Sequence, residues 1–159
     1  MSPTVAAAAQ LGLRMHSDVL SWQTDRGQQF IDITDHVEAV LATSGIMAGQ
    51  VLVYSQHTTA AIKILEHEPQ LLLDMESMLR RLAPSDAAYF HNDFNVRTVN
   101  MCPDENANAH AHVQHLVLGT SETIPVAQGA MCFGPWQRVF LIELDRSRLR
   151  RVIVQVMGV

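Results

Sequence analysis

The chain has 159 residues, of which 48% are hydrophobic, 17% charged and 6% aromatic, and its formal net charge is −5. That length supports one domain with a sizeable core, and the negative balance argues against nucleic acid or an anionic membrane as the main partner. No apolar run is long enough to span a bilayer, and the two cysteines, Cys102 and Cys132, are too few and too far apart for a disulfide framework, so a cytoplasmic protein with reduced thiols is expected.

In chain order, Met1 to Ala9 is apolar and small but has neither the basic start nor the Leu-rich centre of a signal peptide. Residues 1–11 are expected to form a flexible tail and residues 12–159 a single domain. Gly12–Thr24 and Gln29–Ile33 read as strands joined by a turn at Asp25-Arg26-Gly27. Thr34 or Asp35 caps a helix through Val37, Val40 and Leu41 that stops near Gly45. Gln50–Thr59 and Ala61–Leu65 are strands with a bend at Thr58-Thr59. Pro69–Leu82 is the clearest helix: Pro69 suits the first helical position, Pro84 ends the run, and Leu71, Leu72, Met75, Met78, Leu79 and Leu82 form its apolar stripe.

Tyr89–Pro103 mixes aromatic, β-branched and turn residues and reads as a loop or irregular strand. Glu105–Leu118 is helical in pattern. Ala109, His112, Val113, Leu116 and Val117 fall on one face, Asp104 or Asn106 could cap the start, and Gly119 fits the end. His110 and His115 fall off that face, towards solvent. Three strands follow: Thr123–Ala127, Met131–Leu144 with a break at Gly134-Pro135, and Arg150–Met157 with Val152, Val154 and Val156 on one side. The whole predicts an α+β fold: a single-domain, mostly antiparallel β-sandwich packed with two or three helices.

Two sets of residues could carry chemistry. His57 follows the apolar positions of its strand, His91 opens the loop, and His112 lies on the expected inward stripe. An inward histidine reads either as a core residue bonded to a backbone carbonyl or as a ligand. Three histidines from three elements can hold a divalent ion with one position left open, and imidazole suits zinc or another late first-row ion. Asp93, Asp74 or Glu66 could orient such a ligand through its second nitrogen. The second set is Arg146, Arg148, Arg150 and Arg151, crowded around the turn between the last two strands. They read either as a solvated turn offsetting Glu143 and Asp145 or as a fork for phosphate. Cys102 has no basic neighbour in sequence and Cys132 sits in an apolar strand, so both read as structural rather than as activated thiolates.

Several short segments, taken in order, resemble the YjbQ family. Ser55-Gln56-His57-Thr58-Thr59-Ala60-Ala61 is similar to its QHT(S/T)A segment, and Asn108-Ala109-His110-Ala111-His112 to N-(A/G)-H-A-H. Leu118-Gly119-Thr120-Ser121, Pro125-Val126, Gly134-Pro135-Trp136-Gln137 and Glu143-Leu144-Asp145-Arg146 resemble later segments. Leu65 stands where many members carry Asn before Glu66, and Pro135 where Thr is common. The resemblance implies a compact α+β sandwich with strands wrapped around buried helices. It also implies a homotrimer, with a divalent metal on His57, His91 and His112. Members are called secondary thiamine-phosphate synthases, because some can join a pyrimidine pyrophosphate to a thiazole phosphate. The expected function is therefore a metal-dependent enzyme acting on a phosphorylated small molecule, with Arg146 and Arg148 on the phosphate. The metal is zinc or a similar ion, or magnesium carried with pyrophosphate. Glu66 or Asp74 serves as general base in a metal-dependent hydrolase variant. A non-catalytic, metal-stabilised trimeric scaffold or ligand sensor is the alternative. In the trimer, the arginine-rich turn is the candidate contribution from a second subunit.

Overall fold

The computed structural model describes residues 12–159; the expected N-terminal tail, residues 1–11, lies outside them. The chain runs β1 (Arg14–Gln23), β2 (Gln29–Asp32), α1 (Thr34–Ser44), β3 (Ala48–Ser55), β4 (Ala60–Glu66), α2 (Pro69–Leu82), a 3₁₀ turn (Phe90–Asn92), α3 (Ala109–Leu118), β5 (Ser121–Ala127), β6 (Ala130–Met131), β7 (Gln137–Glu143) and β8 (Leu149–Gly158). All pairings are antiparallel. A five-stranded sheet has the order β1-β8-β3-β5-β6 and a three-stranded sheet the order β2-β7-β4. The expected α+β class and single layered domain are what the fold shows.

The main core lies between the sheets. Val51 and Val53 of β3 and Val152, Val154 and Val156 of β8 pack with Ile62 of β4 and Val139 and Leu141 of β7, and α1 adds Val37, Val40 and Leu41. The three-stranded sheet is buried on its other face too. There Ala61, Phe140 and Ile142 meet Leu79 of α2 and Ala111 of α3. This explains the unbroken apolar run Val139–Ile142, since a strand covered on both faces has no polar side to show.

The helices are amphipathic covers, not buried cores. α1 keeps only Thr34, Val37, Val40 and Leu41 inside and ends at Gly45, whose positive φ of 62° suits glycine. Its first turn is capped by Asp32, not by Thr34 or Asp35: the Asp32 carboxylate accepts from the Thr34 N–H at 3.0 Å and its hydroxyl at 2.6 Å. α2 spans Pro69–Leu82 as read from sequence, but of its apolar stripe only Leu79 is fully buried, while Met78 and Leu82 are exposed.

α3 departs furthest from expectation. It begins at Ala109, and neither Asp104 nor Asn106 caps it; Asn108 occupies the cap position, and the Ala109 N–H donates to Asn92 Oδ1 at 3.1 Å. Its inward residues are Ala111, Gln114 and Leu118, while Val113, Leu116 and Val117 face out. The cause is polar. The last-turn carbonyls of a helix lack internal donors. Gln114 Nε2 reinforces the end of α2, donating to the carbonyl of Leu79 (2.9 Å), which also accepts the Ala83 N–H, and to that of Ala83 (3.2 Å). Seating this buried amide turns the apolar stripe of α3 outwards.

Candidate functional site at the end of the sandwich

β3 belongs to one sheet and β4 to the other, so Gln56–Thr59 is a corner crossing between them, not the strand continuation expected. His57 sits on this corner, where its Nε2 accepts the backbone N–H of Arg151 at 2.8 Å. The 3₁₀ turn delivers His91 and the first turn of α3 delivers His112, and the two rings lie edge to face with centroids 4.8 Å apart. All three line one cleft of about 460 Å³, together with Arg97, Asp104, Glu105, Asn108, Arg148 and Arg150.

Period-2 alternation places the floor of this cleft. Arg150 shares the inward parity of Val152 and Val154, and Glu143 that of Val139 and Leu141, so both ends of the core turn polar at the same level. Arg150, 3% exposed, forks onto fully buried Glu143 at 2.5 Å through both Nε and Nη2, and its Nη2 also donates to Thr59 Oγ1. Above this floor the long loop is pinned by Arg97, which pairs with Glu105 at 3.0 Å and donates to the Asn100 carbonyl at 2.8 Å. Arg148 pairs with Asp145 at 2.9 Å and donates to Asn106 Oδ1. Arg146 reaches Asp104 at 3.4 Å.

Burial disfavours the charged forms of His57 and His112. Burial pushes His57 below its ordinary range, helped by the charges of Arg150, Arg151 and Arg148 against the opposing pull of Glu143. Burial does the same for His112, with neighbouring His91 adding to it. Among the described residues, two buried polar atoms at the cleft have no partner: His91 Nε2 and Asn108 Oδ1. Such orphans are uncommon and are satisfied by a ligand, an ion or water.

His91 and His112 bring their ring nitrogens side by side, which suits an imidazole-preferring ion. His57 lines the same cleft, but its Nε2 already accepts a backbone N–H, so only Nδ1 is uncommitted. Among the described residues no three His, Cys, Asp or Glu side chains are arranged as a ready-made metal cage. The pair fits a metal; the third ligand requires His57 to release Arg151 or to turn.

Other expected residues are placed differently. Glu66 lies six residues along β4 from its cleft end, about 20 Å away at strand rise, and borders a separate recess. Asp74 is exposed on α2. Neither can act as a base in the cleft; its own carboxylates are Asp104 and Glu105. Asp93 accepts from the Asn95 N–H and orients no histidine. The core-histidine reading belongs to His115, whose Nδ1 donates to the Ala60 carbonyl at 3.1 Å. His110 is half-buried, not solvent-facing, and its Nδ1 has no partner. Both cysteines are exposed, and Cys102 lines the cleft. Arg148 and the three histidines come from one chain, so the arginine turn need not be borrowed from a second subunit. Arg97 and Asn108 stand in the cleft without a signal in the sequence reading, and Arg150, read there only as one of the turn arginines, forms its floor. The parity of Arg150 with the valines of β8 was a signal available in the sequence.

The fold and site together define a single-domain α+β protein with a histidine–arginine cleft at one end of a β-sandwich. The family described as "UPF0047 protein YjbQ-like" matches residues 18–159, and the chain belongs to that family. A UPF0047 protein of Methanothermobacter thermautotrophicus is 41% identical over 92% of this chain and 94% of its own length. One from Archaeoglobus fulgidus is 36% identical over 87% and 98%. Among solved structures, a YjbQ-like protein of unknown function from Sulfolobus solfataricus superposes with a TM-score of 0.84 at 32% identity, covering 93% of this chain and all of that one. A hypothetical protein from Aeropyrum pernix gives 0.80 at 34% identity, covering 90% and 98%. Among the described residues no helix is long and apolar enough to cross a membrane.

Proposed function

We propose that the cleft binds a phosphorylated small molecule and, with a divalent metal held by His91, His112 and His57, catalyses a thiamine-phosphate-synthase-type transfer in the cytoplasm. The observation that carries this reading is the buried, partnerless Nε2 of His91 beside His112, in a cleft that also presents Arg148 and Arg150. In that reaction the C–O bond to pyrophosphate breaks and the thiazole nitrogen bonds the pyrimidine methylene. Positive charge develops on carbon and negative charge on the leaving oxygens. A bound metal would supply charge neutralisation to those oxygens. Arg148, with its side chain 32% exposed, would hold the anion by exchanging its bond to Asp145 for one to phosphate. Asn108 Oδ1 accepts a hydrogen bond from the substrate, and Arg150 fixes the corner that carries His57.

One observation favours the second reading, a metal-stabilised scaffold or sensor: each of Arg97, Arg146, Arg148 and Arg150 already has a carboxylate partner. A homotrimer is part of the proposal, supported by the outward apolar face of α3. The test is to incubate purified, metal-analysed protein with the pyrimidine pyrophosphate and thiazole phosphate and to measure pyrophosphate release. Turnover abolished by Arg148→Ala supports the enzyme. Tight pyrophosphate binding without turnover supports the sensor, and neither binding nor turnover rejects the phosphate reading.

A further inference from the structure

At the far end of β4, Glu66 and its neighbours enclose a second recess of about 360 Å³ with His67, Glu68, Pro135, Trp136 and Arg138, none of which lines the histidine cleft. We propose that this recess is a binding site for a primary alkylammonium group. It does not depend on the function proposed for the cleft.

The charges in the recess are unequally committed. Arg138 is bound by two carboxylates, Asp32 at 2.7 Å and Asp35 at 2.8 Å, so it has little to offer an anion. Glu68 is occupied as the cap of α2, accepting from the N–H groups of Gln70 and Leu71. Among the described residues, Glu66 has no side-chain hydrogen bond or ion pair; its backbone pairs with Gln137 across the sheet. It is the uncommitted charge of the recess, and it is negative.

His67 supplies a matching acceptor. Its Nδ1 lies 2.8 Å from Asp32 Oδ2, and an ionised carboxylate can only accept, so Nδ1 carries the hydrogen and Nε2 is the ring atom left to accept from a ligand. Trp136 completes the set: its residue is 70% exposed, beside Pro135, on the turn leading into β7. An indole face attracts a cation and covers the methylenes behind it. A primary ammonium donates to Glu66 and to His67 Nε2 and lays its alkyl chain on Trp136. A quaternary ammonium lacks the N–H groups, and a phosphate meets Glu66 as a like charge.

The test uses the full chain, ¹⁵N-labelled. Its two tryptophans, Trp22 and Trp136, give two indole N–H resonances, assigned with Trp136→Phe. Butylammonium chloride is titrated against matched sodium chloride and against 1-butanol. A saturable shift of the Trp136 resonance with butylammonium, weakened about fivefold by Glu66→Gln and unchanged in His112→Ala, supports the site. An equal shift with 1-butanol, no saturation, or indifference to Glu66→Gln overturns it, with the spectrum of each variant confirming that it is folded.

Discussion

Arg150 and Glu143 meet as a forked ion pair at the point where the inward faces of β8 and β7 run out of valine and leucine. Glu143 is fully buried and also accepts from Thr24 Oγ1 and from the Asp145 N–H, so the pair ties four segments together beneath the cleft. Removing one partner strands a buried charge, which typically costs about 3–5 kcal/mol. Arg150→Met is expected to lower unfolding stability by about 3 kcal/mol or more in urea, whereas Arg26→Ala, which removes an exposed arginine and leaves Glu76 paired with Arg80, costs less than about 1 kcal/mol. A loss below about 1 kcal/mol in Arg150→Met would show that the pair is replaceable and the corner held by other contacts.

This pair also shows what was legible in the sequence. The alternation that places Val152, Val154 and Val156 inside extends to Arg150, yet four nearby arginines read as one set, a solvated turn or a phosphate fork, because sequence proximity hides their opposite directions. α2 was read to the residue because Pro69 and Pro84 bound it chemically. α3 was rotated because its periodicity counted apolar residues, while the buried element was the amide of Gln114 reaching carbonyls 35 and 31 positions away. No local pattern carries such a pairing. The three histidines did converge on one cleft, since each lies at a chain corner that the topology brings to the same end. Glu66 and Asp74 did not, because choosing a base needed distances.

Acid should act in two stages. His57, His110, His112 and His115 are all held below their ordinary value of 6.5, primarily by burial. The unfolded chain therefore binds more protons just below that pH, and stability falls as pH drops through it. Asp32 acts in the same direction at lower pH, for a different reason. Burial alone would raise its pKa, but hydrogen bonds from Arg138, Thr34 and His67 outweigh this and lower it from 3.8 to about 2. Its contribution, about 2 kcal/mol at most, is complete above pH 3.8 and is lost as pH falls towards 2. Asp32→Asn keeps a capping side chain but should flatten the stability curve between those two values and leave the slope near 6.5 intact. Urea titrations at a series of pH values report both slopes, and an unchanged low-pH slope in Asp32→Asn would assign that stage elsewhere.

The proposed metal site predicts unequal ligands. His91 and His112 are already paired, whereas His57 is engaged with the Arg151 N–H. His91→Ala or His112→Ala should therefore lose most of the bound metal, measured by elemental analysis after dialysis. His57→Ala should weaken binding less, and His16→Ala or His36→Ala should leave it unchanged. Full occupancy in His112→Ala would reject the assignment.

The proposed trimer has a specific seam to test. Leu116 is 82% exposed and Val117 62%, and the adjoining loop shows Phe90, Val96 and Val99 to solvent. Large exposed apolar side chains on α3 and on the loop that precedes it are the surface such an assembly would cover. Light scattering should give about three times the 17.7 kDa chain mass, and Leu116→Asp should return the protein to the mass of one chain. A monodisperse monomer in the unmodified protein would reject the assembly, and a trimer that survives Leu116→Asp would move the seam to another face. Because Arg148 and His112 line one cleft of a single chain, mixing His112→Ala with Arg148→Ala protein should not restore pyrophosphate affinity, although the two variants can share an oligomer. Recovery of affinity in the mixture would mean that the arginine turn serves a neighbouring subunit's histidines after all.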